Sequence, residues 1–163
     1  TFDPGSKELM TSPPRSRDEH IVNKYSFSEI LFLGILMGGL GFLNYGIFVE
    51  GVAGQVTPDH ALYPRATTIA YLTIVICQFI NILSRRYEFT SIFNENFFSN
   101  KKMLYSILIS IGMVLIVTYT PGINSYLGFA GVTISDWGRI ITGGGIFLLG
   151  HEVIKWYKRS QID

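Results

Sequence analysis

Apolar and polar stretches alternate along the chain, with four long apolar segments set between polar ones. Ile30 to Val49 is uncharged and 20 residues long, and at about 1.5 Å rise per residue a helix of that length crosses a hydrocarbon core of roughly 30 Å. Ala66 to Leu83 lies between Arg65 and the Arg85-Arg86 pair, with Gln78 and Asn81 as its strongly polar interior residues. Met103 to Tyr119 follows Lys101-Lys102 and stops before Pro121-Gly122, because proline cannot continue the helical hydrogen-bond ladder. Ile140 to Val153 carries Gly143-Gly144-Gly145 and His151-Glu152, and needs Trp137 and Trp156 as interfacial ends. The pattern predicts an all-α integral membrane bundle of four transmembrane helices, with spans near 30–49, 66–83, 103–119 and 138–156. Residues 1–26, with Pro4, Pro13 and Pro14, read as a polar leader, and 27–163 as the four-helix domain. A soluble bundle fits poorly, since core helices are usually shorter and show a polar face. The aromatic stretch Phe89 to Phe98 is expected as a partial interfacial helix or a packed loop.

Charge refines this picture only when sorted by segment. Thirteen basic and twelve acidic residues leave a net charge of +1, which removes a whole-chain electrostatic case for nucleic acid. Only 15% of residues are charged, against about 25% in an average soluble domain. Eleven of the thirteen basic residues fall in the first, third and fifth polar segments, and only Arg65 and Arg139 lie elsewhere. This positive-inside bias predicts cytoplasmic N- and C-termini and a cytoplasmic 85–102 loop, the arrangement that an even number of spans also requires. A lone cysteine, Cys77, excludes an internal disulfide and a cysteine-based zinc site. The chain begins at Thr1 in a polar stretch without a signal-peptide pattern, as expected of a fragment or a processed chain.

The candidate chemistry is sparse. Gly34, Gly38 and Gly41 fall at i, i+4 and i+7 and are expected to let a second helix approach closely, although glycine is also simply frequent in membrane helices. Gly143 to Gly145 mark a bend or a tight packing point rather than a phosphate loop. Gln78 and Asn81 share a face, suited either to interhelical hydrogen bonds or, more weakly, to a cation path. Glu152 and Lys155, at i and i+3, are expected to form a local ion pair. His20, His60 and His151 lie in different segments, and no carboxylate or histidine stands at metal-ligand spacing, so no metal site is expected. No Walker, G-x-S-x-G or H-E-x-x-H motif occurs, and the chain by itself does not read as an enzyme.

The order of landmarks resembles the last four membrane helices of cation-transporting P-type ATPases. FDPGSKELMTSPPRSRDEHIV resembles the stretch after the sixth helix of calcium and sodium/potassium pumps, and CQFINILSRR the end of their eighth. NKKMLYSILISIGMVLIVTYTPGI resembles the ninth helix, and HEVIKWYKR the end of the tenth. The resemblance implies a support for the ion-transport helices within an ATP-driven pump, with ATP and Mg as cofactors of the whole pump and none in this part. The phosphorylated-aspartate motif DKTGT, the nucleotide and actuator domains and the first six helices are absent from these residues. Val75 stands where some pumps place a further ligand oxygen, Gln78 falls near an extra sodium site of others, and Ile109 and Ser110 replace ninth-helix glutamates of sodium/potassium pumps. These departures imply a pump with a single cation site, calcium first and sodium or proton-coupled variants behind it. Membrane lipid and the remaining helices and cytoplasmic domains of the pump are the implied partners. Pro13, Pro14, Arg15 and Arg17 are expected to dock the leader on the phosphorylation domain, with a lipid-headgroup contact as the plainer role. The alternatives are a small stand-alone four-span protein with an assembly or regulatory role, or a four-span channel, for which only Gln78 and Asn81 offer a polar lining.

Overall fold

The computed structural model describes residues 24–51, 57–87, 91–93 and 97–160. Among them the fold is all-helical: α1 (Lys24–Gly51), α2 (Tyr63–Arg85), α3 (Lys101–Tyr119), the short α4 (Ile123–Tyr126) and α5 (Ile134–Arg159). Each long helix covers a predicted span, and all but the C-terminal end of α3 extend beyond it. The charged and polar flanks extend the helix because water satisfies the terminal backbone groups there as readily as a loop would. Three helices, α1, α2 and α3, are long and apolar enough to cross a membrane. The fourth, α5, has 26 residues and spans about 39 Å, but its glycines and polar residues dilute its apolar character.

Local chemistry sets the helix boundaries. Pro64 occupies the first turn of α2, where its missing N–H costs nothing. Asn100 caps α3, its side chain accepting from the Met103 N–H at 3.0 Å, a contact of about 1 kcal/mol in such positions. At the other end of α3, Thr120 turns extended and Gly122 takes φ 90°, a left-handed conformation suited to glycine. The chain then forms α4, a single turn that hydrophobic periodicity did not suggest.

Helices α1, α2 and α5 pack against one another, whereas α3 joins them mainly through its C-terminal end. The bundle core divides in two. One cluster joins Phe48, Ala66, Ile69, Leu72, Val132 and Ile140, and the other joins Leu33, Met37, Leu40, Cys77 and Phe147. The α4–α5 connection is pinned onto this core. Ala130 N–H donates to Thr68 Oγ1 at 3.0 Å, and Phe129 stacks on Tyr71 with ring centroids 4.8 Å apart. Tyr119 at the end of α3 donates to the Val132 carbonyl at 3.0 Å and accepts from Trp137 Nε1 at 2.7 Å. The remainder of α3 is largely uncovered, with Tyr105, Leu108, Ile109, Met113 and Ile116 exposed. Of the 89–98 stretch, Ile92 is buried while Phe93 and Phe98 are exposed, and the described residues form bends and turns.

Candidate functional site

The chemistry of this domain lies in how three helices are locked together and in which faces they leave open. At the end carrying Phe48 and the start of α2, Asp136 in the first turn of α5 is 2% exposed and binds Arg65 of α2. Its Oδ2 accepts from Arg65 Nε at 2.9 Å and Nη2 at 2.7 Å, and from the Thr133 N–H and hydroxyl, both at 2.8 Å. The Thr133 hydroxyl in turn accepts from Arg65 Nη2 at 2.9 Å, closing the network. Asp136 therefore caps α5 and anchors it to α2. Burial disfavours its charged form, but the hydrogen bonds from Thr133 and Arg65 and the guanidinium charge outweigh this and hold its carboxyl below the usual range. The Arg65 guanidinium also lies over the Phe48 ring of α1, 5.2 Å from its centroid, so one side chain touches all three helices.

A second tie sits between the two core clusters. Asn44 of α1 is buried and donates to Thr73 Oγ1 of α2 at 2.8 Å and to the Arg139 carbonyl of α5 at 3.3 Å. The Thr73 hydroxyl donates in turn to the Ile69 carbonyl at 2.8 Å. Polar groups satisfied in this way fix the relative rotation of packed membrane helices at modest energy, about 0.6 kcal/mol on average. Neither tie stands out as a sequence motif. Arg65 and Asp136 lie 71 residues apart, and the available clue was that both are sparse charges in the segments poor in basic residues. Asn44 is the sole asparagine in the first apolar run, a signal that a search for charges passes over.

Small residues make the close approach possible. A Cβ on Gly143 would stand 3.1 Å from Asn44 Nδ2 and 3.1 Å from Thr73 Cγ2, and one on Gly144 would meet Ile76 Cγ2 at 2.7 Å. These two glycines are the packing point of the fourth segment, whereas Gly145 faces open space. The Gly34, Gly38 and Gly41 series divides. A Cβ on Gly41 would be 3.0 Å from Ile74 and 3.4 Å from the Ala70 carbonyl, while no described residue lies within 4 Å at Gly34 or Gly38. The latter two sit on an uncovered face of α1 among the exposed Leu31, Ile35 and Phe42.

Gln78 is exposed on α2, and Asn81 accepts from Arg85 Nε at 3.2 Å, one turn along the same helix. Ser110 is likewise engaged with its own helix, donating to the Ser106 carbonyl at 2.9 Å. Glu152 and Lys155 form an ion pair at 3.5 Å, and Glu152 also accepts from the Ile92 N–H at 3.2 Å. His60 caps the turn before α2 and His151 lies edge-on to Phe147, far from one another along the fold. His20, Pro13, Pro14, Arg15 and Arg17 lie outside the described residues. Among the described residues no group of three or more His, Cys, Asp or Glu could hold a metal ion, and of the triple glycine Gly143 and Gly144 are buried at a helix crossing while Gly145 is exposed.

Comparison with known proteins supplies the context for such a bundle. Residues 1–157 match the family model described as cation transporting ATPase, C-terminus. Calcium-transporting ATPase 1 of Bacillus cereus is 26% identical over 97% of this chain and 19% of its own length. The calcium-transporting ATPase of Bacillus subtilis is 28% identical over 90% of this chain and 16% of its own. The human calcium-transporting ATPase type 2C member 1 is 28% identical over 98% of this chain and 16% of its own. The chain thus spans less than a fifth of the length of these relatives, and it belongs to the family of C-terminal regions of cation-transporting P-type ATPases.

Proposed function

We propose that the chain serves as the C-terminal transmembrane domain of an ATP-driven calcium pump and supports the helices that carry the ion. Four spans, with the cytoplasm at the end bearing Arg85, Arg86, Lys155 and Lys158, are the arrangement that the charge asymmetry and the length of α5 support. Calcium follows from the names of the relatives, and ATP and Mg would act in parts of the pump beyond these residues. The observation that carries the support role is the contrast within α1. One face is locked to α2 and α5 through Asn44, Gly41 and Phe48, and the neighbouring face, with Gly34 and Gly38, has none of the described residues against it. Small residues without a partner on a membrane helix suit the close approach of another helix, here one of the transport helices.

The expected result follows from that geometry. Gly34→Leu with Gly38→Leu in the whole pump should lower ATP-driven calcium uptake by about tenfold or more, by keeping the neighbouring helix a side chain's width away. The isolated bundle should lose no thermal stability, since neither position meets another described residue within 4 Å. Unchanged uptake with correct membrane insertion would remove the support reading. The leader is proposed to dock on the phosphorylation domain through Pro13, Pro14, Arg15 and Arg17. Removing residues 1–26 while keeping the rest of the pump should slow turnover, and normal turnover would leave only the headgroup contact.

A further inference from the structure

At the end of the bundle opposite the Arg65–Asp136 network, α1, α2 and α5 surround a polar cavity of about 250 Å3. Ser26 and Glu29 line it from α1, Ser84, Arg85 and Tyr87 from the end of α2, and His151, Lys155 and Lys158 from α5. Among the described residues, four of these present side-chain atoms that are shielded from solvent and without a hydrogen-bond partner: Ser84 Oγ, Tyr87 OH, His151 Nε2 and Lys155 Nζ, the last held only in its ion pair with Glu152. Ser84 is 0% exposed, His151 3% and Lys155 4%. More than nine in ten buried polar groups in native proteins are satisfied. Four unsatisfied groups converging on one cavity therefore ask for an occupant.

The charges around the cavity select its chemistry. Arg85, Lys155 and Lys158 face one lining carboxylate, Glu29, which Lys158 already holds at 2.8 Å. Glu152 balances Lys155 from 3.5 Å and also accepts from the Ile92 N–H with the same oxygen; among the described residues three cations then face two carboxylates, and positive charge remains. Among the described residues a cation would find no free carboxylate. An ammonium, two hydroxyls and an imidazole nitrogen can all donate toward an oxyanion, and charge-assisted bonds of this kind are the strong ones. We infer that this cavity binds a phosphate oxyanion, with Lys155, Ser84, Tyr87 and His151 as its hydrogen-bonding partners and Arg85 as a further charge. The source it suits is a phospholipid headgroup. The cavity opens where three helix ends meet, and the exposed Trp156 and Tyr157 beside it on α5 are residue types that settle at the headgroup level. The lipid source rests on the membrane-spanning reading; the oxyanion site does not.

The test uses the whole protein purified in maltoside micelles, with thermal unfolding as readout. Short-chain phosphatidylglycerol and inorganic phosphate are titrated separately, with sodium chloride at matched ionic strength as the reference. Phosphatidylglycerol should raise the midpoint well beyond the salt reference. Lys155→Met should weaken the apparent affinity about tenfold or more, as loss of one charged hydrogen bond predicts. Ser84→Ala removes a hydroxyl with little change in volume, so it reports on the site if Lys155→Met does not fold, and it should weaken binding several-fold. Lys101→Ala, an exposed cation elsewhere, should leave the response intact. A response to inorganic phosphate alone, lost in the same variants, keeps the oxyanion site and counts against the headgroup as its source. No response beyond salt, or equal responses in native, Lys155→Met and Ser84→Ala proteins, would mean that the cavity holds only water and would overturn the inference.

Discussion

Substituting two adjacent glycines is expected to move stability in opposite directions. Gly144→Leu should destabilise the bundle by about 3 kcal/mol or more, at the upper end of the usual cost of overpacking. Its Cβ alone would lie 2.7 Å from Ile76 Cγ2 and 3.1 Å from Ile80 Cδ1. The first of these atoms is a branch methyl held by a stiff χ1 and cannot swing away. Gly144→Ala gains about 1 kcal/mol of helix propensity and loses roughly 1–3 to the clash, for a small net loss. Gly145→Ala meets no described residue within 4 Å and should gain up to about 1 kcal/mol. Denaturation in mixed micelles, followed by circular dichroism, measures all three. If Gly144→Leu were as stable as Gly145→Ala, α2 and α5 would not pack as described.

Asp136→Ala is the second substitution with a large expected effect, a loss of about 3 kcal/mol. Removing one partner of a buried ion pair leaves the other uncompensated, at about 3–5 kcal/mol in general. Here Arg65 keeps 28% of its side chain exposed, which lowers the figure, while loss of the cap on α5 raises it. Arg65→Met should cost less than Asp136→Ala because Thr133 still donates two hydrogen bonds to the carboxylate. The double variant Asp136→Ala with Arg65→Met should lose less than the sum of the two single variants, since removing both partners leaves no unpaired buried charge. Additive losses in that cycle would mean that the two side chains do not interact. The pH dependence has a definite sign. The folded pKa of Asp136 lies below its unfolded value near 3.9, so the stabilisation is complete above that value and disappears as pH falls through the folded pKa. Asp136→Ala should flatten this acid limb.

The long helices and their order were legible in the residues because burying a backbone in hydrocarbon requires an unbroken apolar run, and such runs announce themselves. Helix ends were legible where Pro121-Gly122 enforced them and were underestimated where water permits a helix to continue, as before Ile30. The expected Glu152–Lys155 pair was also visible, because helical spacing alone places those side chains together. The landmarks CQFINILSRR and HEVIKWYKR pointed to the family before any helix was placed.

Tertiary structure decided what spacing along one helix cannot express. Gly34, Gly38 and Gly41 look alike in sequence, yet only Gly41 meets α2, because which edge of a glycine stripe is covered depends on how the neighbouring helix crosses it. Arg65 and Asp136 became one network, and Ser84, Tyr87, His151 and Lys155 became the lining of one cavity, although each reads separately as a boundary or interior residue. By itself the sequence determined that this is a chain of membrane-length helices and to which family it belongs, since both depend on local runs and motifs. Which polar groups pair, which are left facing a cavity and which face of α1 stays open were set only when three helices met, because hydrogen bonds and packing in a bundle are properties of neighbours far apart in the chain.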